Sequence, residues 1–395
     1  MTGLGIYIHI PFCASKCAYC SFYSRCAGKA EHNEYTRALI KHISEAQMKP
    51  SDYVVDSIYF GGGTPTVIGE RNLIKILNTV YKSFKINPDC EITCEANPNS
   101  VTLPMLKKMR RAGFNRISFG MQSKYLAELR NLGRTHTFED VAAAVEAAKK
   151  AKFSNISLDL MYGLPSQSVS DFLDSLDAAI ELSPTHISCY GLKIEAGTPL
   201  AEHPETLHLP SDDEQADMYL AAVTRLSEEG YKQYEISNFA RDGLISRHNM
   251  KYWTLEDYWG FGPSAHSLVG KKRFSYIPDT SRYIAALSQG DEIIEKIETI
   301  NTSERCGEYV MLSLRTTEGI RADVLEKKYL THFDKIEEVL LRYYKTGHAT
   351  FDGQSWSLTP EGFLISNHII GEALDALEES EHLVRPRNGY VRKDV

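Results

Sequence analysis

The chain has 395 residues, 43% of them hydrophobic, enough to bury the cores of two or three domains, and its composition suggests neither disorder nor a repeat array. Fifty-two acidic residues against forty-four Lys and Arg give a net charge of −8, which argues against a broad nucleic-acid surface. No apolar run approaches the roughly 18 residues of a spanning helix, no basic leader precedes the strand-like GIYIHI, and eight cysteines are too sparse for a disulfide scaffold. The expectation is a cytoplasmic protein, not integral to a membrane, whose clustered cysteines bind metal.

From residue 5 to about 192, short β-rich runs alternate with segments of helical period. Strands are predicted at 5–10, 55–60, 90–95, 116–120, 156–161 and 186–191, with helices near 32–47, 70–83, 102–112, 138–151 and 169–182. The basic stretch KKMRRAG (107–113) reads as the solvated end of one of these helices. Serial strand–helix–strand units imply parallel strands, and six of them predict an α/β fold, a partial (β/α)6 TIM-like barrel rather than a closed barrel of eight.

Side chains on a strand alternate between faces. One parity gives Ile6, Ile8, Ile58, Ile92, Ile117, Phe119, Ile156, Leu158 and Leu160, suited to lie under outer helices. The other gives Tyr7, His9, Thr93, Glu95, Ser118, Gln122, Asp159, Ser188 and Tyr190. A packed barrel interior is rich in branched apolar residues, so this polar set predicts a lumen that holds a polar ligand. Glu95, Gln122 and Asp159 fall at strand C-termini and GGGTP (61–65) just past one, which places them on the rim where barrel active sites form.

After residue 192 the rhythm changes. A Pro-rich crossing loop (195–211), a helix near 212–229 and a strand at 234–237 are followed by the glycine- and aromatic-rich 248–267, which resists assignment. Helices near 303–313, 321–329 and 333–346, a hairpin at 348–359 with DG at its turn, and a last helix near 360–378 predict a small winged-helix-like domain. The expected division is a barrel over 1–195, an α+β extension over 196–295 and the helical module over 296–395.

Directly after the first strand, HIPFCASKCAYCSFYS carries Cys13, Cys17 and Cys20 in a CxxxCxxC pattern. Three thiolates are one short of the four ligands that usually close a zinc or iron–sulfur site. Zinc with His9 as fourth ligand is one reading, although zinc sites draw ligand pairs from separate turns; a four-iron cluster with one open iron fits the single short loop better. Cys26 is a further candidate to close the site, while Cys90 and Cys94 lie on the apolar parity as core thiols.

The pattern CASKCAYC, with the six-unit barrel and the glycine strand end, resembles the radical S-adenosylmethionine (SAM) superfamily. That resemblance implies a [4Fe–4S] cluster on Cys13, Cys17 and Cys20, whose open iron is chelated by the amino and carboxylate groups of SAM, and an electron donor that reduces it to generate a deoxyadenosyl radical. Within the superfamily, IYIHIPFC, GGGTPT, EANPNS, RISFGMQS, LGRTH, DLMYGLPSQ, YEISNFA and HNMKYW are similar to the coproporphyrinogen-oxidase-related branch over residues 6 to 267. Carried over, Tyr7 and Tyr19 flank cluster and cofactor, and Gly62, Gly63 and Thr64 present backbone to SAM. Glu95, Gln122, Arg134 and Asp159 are then its polar contacts, the carboxylates suited to an ammonium or ribose hydroxyls.

Two departures divide that branch. The oxygen-independent oxidase has another cysteine two residues beyond the triad, where this sequence has Phe22, and a long segment ahead of the loop, whereas Cys13 lies near the start here. Both point to the sister family of heme chaperones, HemW, recognised by HNxxYW, here His248, Asn249, Tyr252 and Trp253. The resemblance implies a protein that binds heme and passes it to acceptor proteins, membrane-bound respiratory proteins among them, with His248, Tyr252 and Trp253 at the heme and His266 a second-rank ligand. Oxidative decarboxylation of coproporphyrinogen III and a zinc-stabilised module without redox chemistry are the alternatives.

Overall fold

The computed structural model describes residues 2–46 and 53–380; residue 47 of the first expected helix and residues 381–395 of the expected third domain lie outside the described residues. Six strands follow in chain order, β1 (Thr2–Ile10), β2 (Tyr53–Gly62), β3 (Ile86–Ala96), β4 (Arg116–Gln122), β5 (Asn155–Tyr162) and β6 (His186–Gly191). Each pairs in parallel with the next. The crossovers are α1 (Lys29–Glu45), α2 (Glu70–Ser83), α3 (Leu103–Ala112), α4 (Leu126–Asn131) with α5 (Phe138–Lys150), and α6 (Val169–Glu181). At six residues α4 is too short to show a helical period, which is why the sequence does not reveal it. The result is an α/β fold with a mostly parallel sheet, a partial TIM-like barrel.

The barrel's two faces follow the alternation. Ile6, Ile8, Ile58, Ile117, Phe119, Leu158 and Leu160 are fully buried, as are Leu39, Leu73, Leu77, Leu106, Val141 and Phe172 on the surrounding helices. Each large apolar side chain so buried contributes about 1.5–3 kcal/mol. Cys90 and Cys94 share this buried side of β3. The inner face is polar and hydrogen-bonded: Tyr7 Oη to His9 Nδ1 at 3.0 Å, Tyr59 Oη to Glu95 at 2.7 Å, and Ser157 Oγ with His186 Nδ1 at 2.8 Å. Buried polar groups persist only when paired in this way.

Beyond β1 the sheet continues. Strand Tyr258–Phe261 pairs with β1 as a further parallel strand, and His266–Val269, Lys272–Tyr276 and Ile294–Thr299 extend it outward. The unassigned 248–267 thus supplies a short helix, Arg247–Trp253, and two strands of four residues each. Such short elements carry too little periodicity to be read.

The described residues divide into two compact units, one of 2–231, 240–251 and 256–298 and one of 232–239, 252–255 and 299–380. In the second, the expected strand 234–237 breaks after Lys232–Glu235: the Glu235 carboxylate accepts from Ser237 N at 3.0 Å and from Asn238 Nδ2, turning the chain. Helices Thr302–Ser313, Asp334–Lys345 and Ser366–Glu378 accompany a hairpin of Ala349–Phe351 and Trp356–Leu358. None of the described helices is long and apolar enough to cross a membrane.

Candidate cofactor cavity

Cys13, Cys17 and Cys20 sit half-buried on the loop that leaves the C-terminal end of β1. The loop is pinned from several sides. Cys13 N donates to Arg25 O at 3.1 Å, Ala18 N to Leu132 O at 2.9 Å, and Leu200 N, from the crossing loop, to Ala18 O at 3.0 Å. Gly133, at a φ of 72°, brings its backbone against Ala18 and Cys17; a Cβ there would lie 3.3 Å from Ala18 N. On the other side Gly63 N donates to Ile10 O at 2.8 Å and Thr64 N to Phe12 O at 2.7 Å, while Thr64 Oγ1 lies 3.7 Å from Cys13 Sγ.

The three cysteines open onto a cavity of about 420 Å³ that runs into the barrel. It is lined by Tyr19, Gly62, Gly63, Thr64, Glu95, Gln122, Arg134 and Asp159, so eleven of the fifteen site residues expected from sequence meet around one space. At the end of β4 the register shifts between Gly120 and Gln122, and Gln122 takes a φ of 66°, a bulge at the cavity rim. The Arg134 guanidinium donates to Asn97 Oδ1 at 2.8 Å, Gly120 O at 2.7 Å and Cys17 Sγ at 3.6 Å, bracing loop and rim together. Asp159 accepts from Ser188 Oγ at 2.7 Å and Ser118 Oγ at 3.0 Å. Burial pushes the Glu95 carboxyl up to about 7 and also raises Asp159.

Four expected residues lie elsewhere. Tyr7 stands in the interior behind the cavity, stacked at 6.3 Å on Tyr59. His248 is fully buried, 2.9 Å from Ser57 Oγ through Nδ1 and stacked at 5.2 Å on Tyr59. Tyr252 and Trp253 end the Arg247–Trp253 helix, part-exposed and not lining the cavity. His266 is exposed beside Arg273, Lys296 and Glu298 on the strand extension. His9 has both ring nitrogens engaged, Nδ1 with Tyr7 Oη and Nε2 with Tyr23 O, each at 3.0 Å, which disfavours it as a fourth metal ligand. Cys26 is exposed and points its Sγ at Ala14 O, 3.4 Å away.

Sequence reasoning passed over further lining residues, Tyr59 and Arg116 among them, and gave Asn249 of the HNxxYW motif no place at the cavity. Tyr59 and Arg116 lie on the polar parity of β2 and β4, so the alternation rule could have found them. Asn249 reaches the cavity from the helix Arg247–Trp253, whose first backbone N–H groups donate to the Glu91 carboxylate at 3.2 and 3.1 Å. That placement is tertiary and leaves no local signal.

The Radical SAM superfamily profile matches residues 7–179. The chain is 34% identical to the heme chaperone HemW of Bacillus subtilis, covering 94% of this chain and 99% of that protein. It is 33% identical to the heme chaperone HemW of Escherichia coli over 93% of this chain and 97% of that one. Among solved structures, coproporphyrinogen III oxidase (HemN) from Escherichia coli shares the fold at a TM-score of 0.81 and 22% identity, over 94% of this chain and 90% of that chain. A parallel barrel with three cysteines at its rim, matched to these relatives along nearly its whole length, places the chain in the HemW family of the radical SAM superfamily.

Proposed function

We propose that this chain binds heme and passes it to acceptor proteins, with a [4Fe–4S] cluster on Cys13, Cys17 and Cys20 and SAM in the cavity beside it. The carrying observation is the similarity along 99% of the Bacillus subtilis heme chaperone. The cavity agrees in its donor set: three thiols on one loop, both ring nitrogens of His9 occupied, and glycine backbone at Gly62 and Gly63 in the lining. Phe22, 69% exposed at the cavity, stands where the oxidase-type sequence carries a further thiol. When bound, the reduced cluster with SAM supplies one-electron chemistry. The chain's own part is to hold the loop through Arg134 and Thr64 and to offer Glu95, Gln122 and Asp159 as polar contacts to SAM.

The ionisation of Glu95 gives SAM binding a pH dependence. Its carboxyl is held near 7 by burial, so it carries a proton below that pH and becomes the stronger acceptor above it. SAM affinity is therefore expected to fall as pH drops through about 7, by up to roughly tenfold per pH unit, and a Glu95→Gln variant should lose that dependence. Isothermal titration across the range checks this; an identical pH profile in the variant removes Glu95 from the site.

For heme we propose the segment of His248, Tyr252 and Trp253. Its residue chemistry supports this, an imidazole ligand beside aromatic faces. Because His248 is enclosed against Ser57 and Tyr59, its use as a ligand requires the helix Arg247–Trp253 to leave Glu91. Titration of the reconstituted protein is expected to give about one heme per chain, weakened by roughly tenfold in His248→Ala with SAM affinity retained. Equal heme binding would remove His248 from the site, and parallel loss of SAM binding would assign it to the barrel floor. Heme should move from the loaded protein to an apo-acceptor, and no protoporphyrinogen should form from coproporphyrinogen III with SAM and a reductant. Turnover in that assay would overturn the chaperone reading.

A further inference from the structure

Arg116 opens β4 and is 2% exposed, the largest of the fully buried side chains among the described residues. Its Cα pairs with Thr93 on β3 and Asn155 on β5, one interior step below the row in which Glu95 faces Ser118. From there it lines the cavity together with Glu95, Ser118, Asp159 and Asn249. A guanidinium this deep is costly unless its charge is used.

The neighbouring charges are largely committed elsewhere. On β3, Glu91 receives the backbone N–H groups of Arg247 and His248. Below, Lys251 pairs with Asp56 at 2.9 Å and Glu256 at 2.7 Å. At the rim, Arg134 is tied to Asn97, Gly120 and Cys17, and acts on Asp159 as well. His186 on β6 and His248 are kept neutral chiefly by burial, and further by the Arg116 charge at His186 and by Lys251 ahead of Arg116 at His248. On β2, Tyr59 spends its hydroxyl on Glu95. Burial would protonate both cavity carboxyls; hydrogen bonds oppose it first, from Tyr59 and the Gly62 backbone at Glu95 and from Ser188 and Ser118 at Asp159, and Arg116 is the cation that adds to them at both.

We propose that Arg116 is the positioning cation of this cavity: from the lining it shares with Glu95 and Asp159 it biases both carboxyls toward the anion, so that they accept hydrogen bonds from a hydroxyl-rich or cationic ligand. The proposal rests on the reading of the cavity as the SAM site for its ligand, but not for the ionisation itself. Arg116 touches no reacting atom. It acts through the two carboxylates.

The test compares full-length reconstituted wild type with Arg116→Met and Arg116→Lys. At pH 7 the Met variant should bind SAM at least roughly tenfold more weakly, and the deficit should shrink to within about threefold near pH 9, where the carboxyls ionise unaided. The Lys variant, which keeps the charge, should follow the wild-type profile. A deficit independent of pH, no deficit, or a Lys variant as poor as Met would overturn the proposal. Infrared titration of the buried carboxyls without SAM supplies a second readout, in which the protonated band should persist to higher pH in Met than in wild type and Lys. If wild type binds no SAM, the cofactor reading fails while the infrared comparison still decides Arg116. If the Met variant does not fold, a carboxyl titration in Lys shifted from that of wild type overturns the proposal, and one that coincides supports it.

Discussion

Serine at Cys13, Cys17 or Cys20 is expected to reduce cluster binding beyond the ~10–100-fold that loss of an outer-shell partner costs, because a ligand itself is removed. The structure makes these three thiols a set: one loop presents them to one cavity, and backbone hydrogen bonds tie that loop to Leu132, Arg25 and Leu200. Burial raises the Cys13 and Cys20 thiols, so in the bare loop they stay protonated, and a metal is what makes them thiolates. Cys26→Ser provides the internal comparison. Its sulfur is exposed and turned toward Ala14 O, and its loss should leave iron and sulfide content unchanged. Anaerobic reconstitution with iron and sulfide analysis decides between them, with far-ultraviolet dichroism to show that each variant folds. Retention of a full cluster in all three single variants, or recovery of zinc alone from wild type, would remove the cluster from this loop.

Much of this arrangement is legible in the sequence because a strand's side-chain period is two and its core face is strongly apolar. Ile117 and Phe119 alternate with Arg116, Ser118 and Gly120 along β4, and the structure buries the first pair under helices while turning Arg116, Ser118 and Gly120 to the cavity. The same rule would have added Tyr59. It fails where position depends on contacts between distant segments. Nothing local in RHNMKYW says that its helix will cap onto Glu91, bury His248 and send Asn249 to the cavity floor. The strand Tyr258–Phe261 is equally illegible, since four aromatic and glycine residues become a strand only because β1 offers a free edge to pair with.

The second large effect is expected at Gly63, through close approach rather than backbone conformation. A methyl group there would sit 2.5 Å from Phe12 O and 2.9 Å from Phe12 C, backbone atoms that cannot rotate away, and 3.0 Å from Cys13 Sγ. Gly63→Ala must therefore push apart the two strand ends that its own N–H, bonded to Ile10 O, holds together. Overpacking of this kind costs about 1–3 kcal/mol. The three thiols remain, so a cluster should still assemble, but displacing the glycine edge by a few tenths of an ångström from the cavity lip should weaken SAM by at least roughly tenfold. Gly28→Ala is the matched control, because a Cβ at Gly28 meets nothing within 4 Å and its φ of −92° suits any residue. Thermal midpoints and SAM titrations of the two variants separate the cases. Wild-type SAM affinity in Gly63→Ala would mean that the backbone beside Cys13 is not a cofactor contact, and the polar residues across the cavity would then have to hold SAM without it.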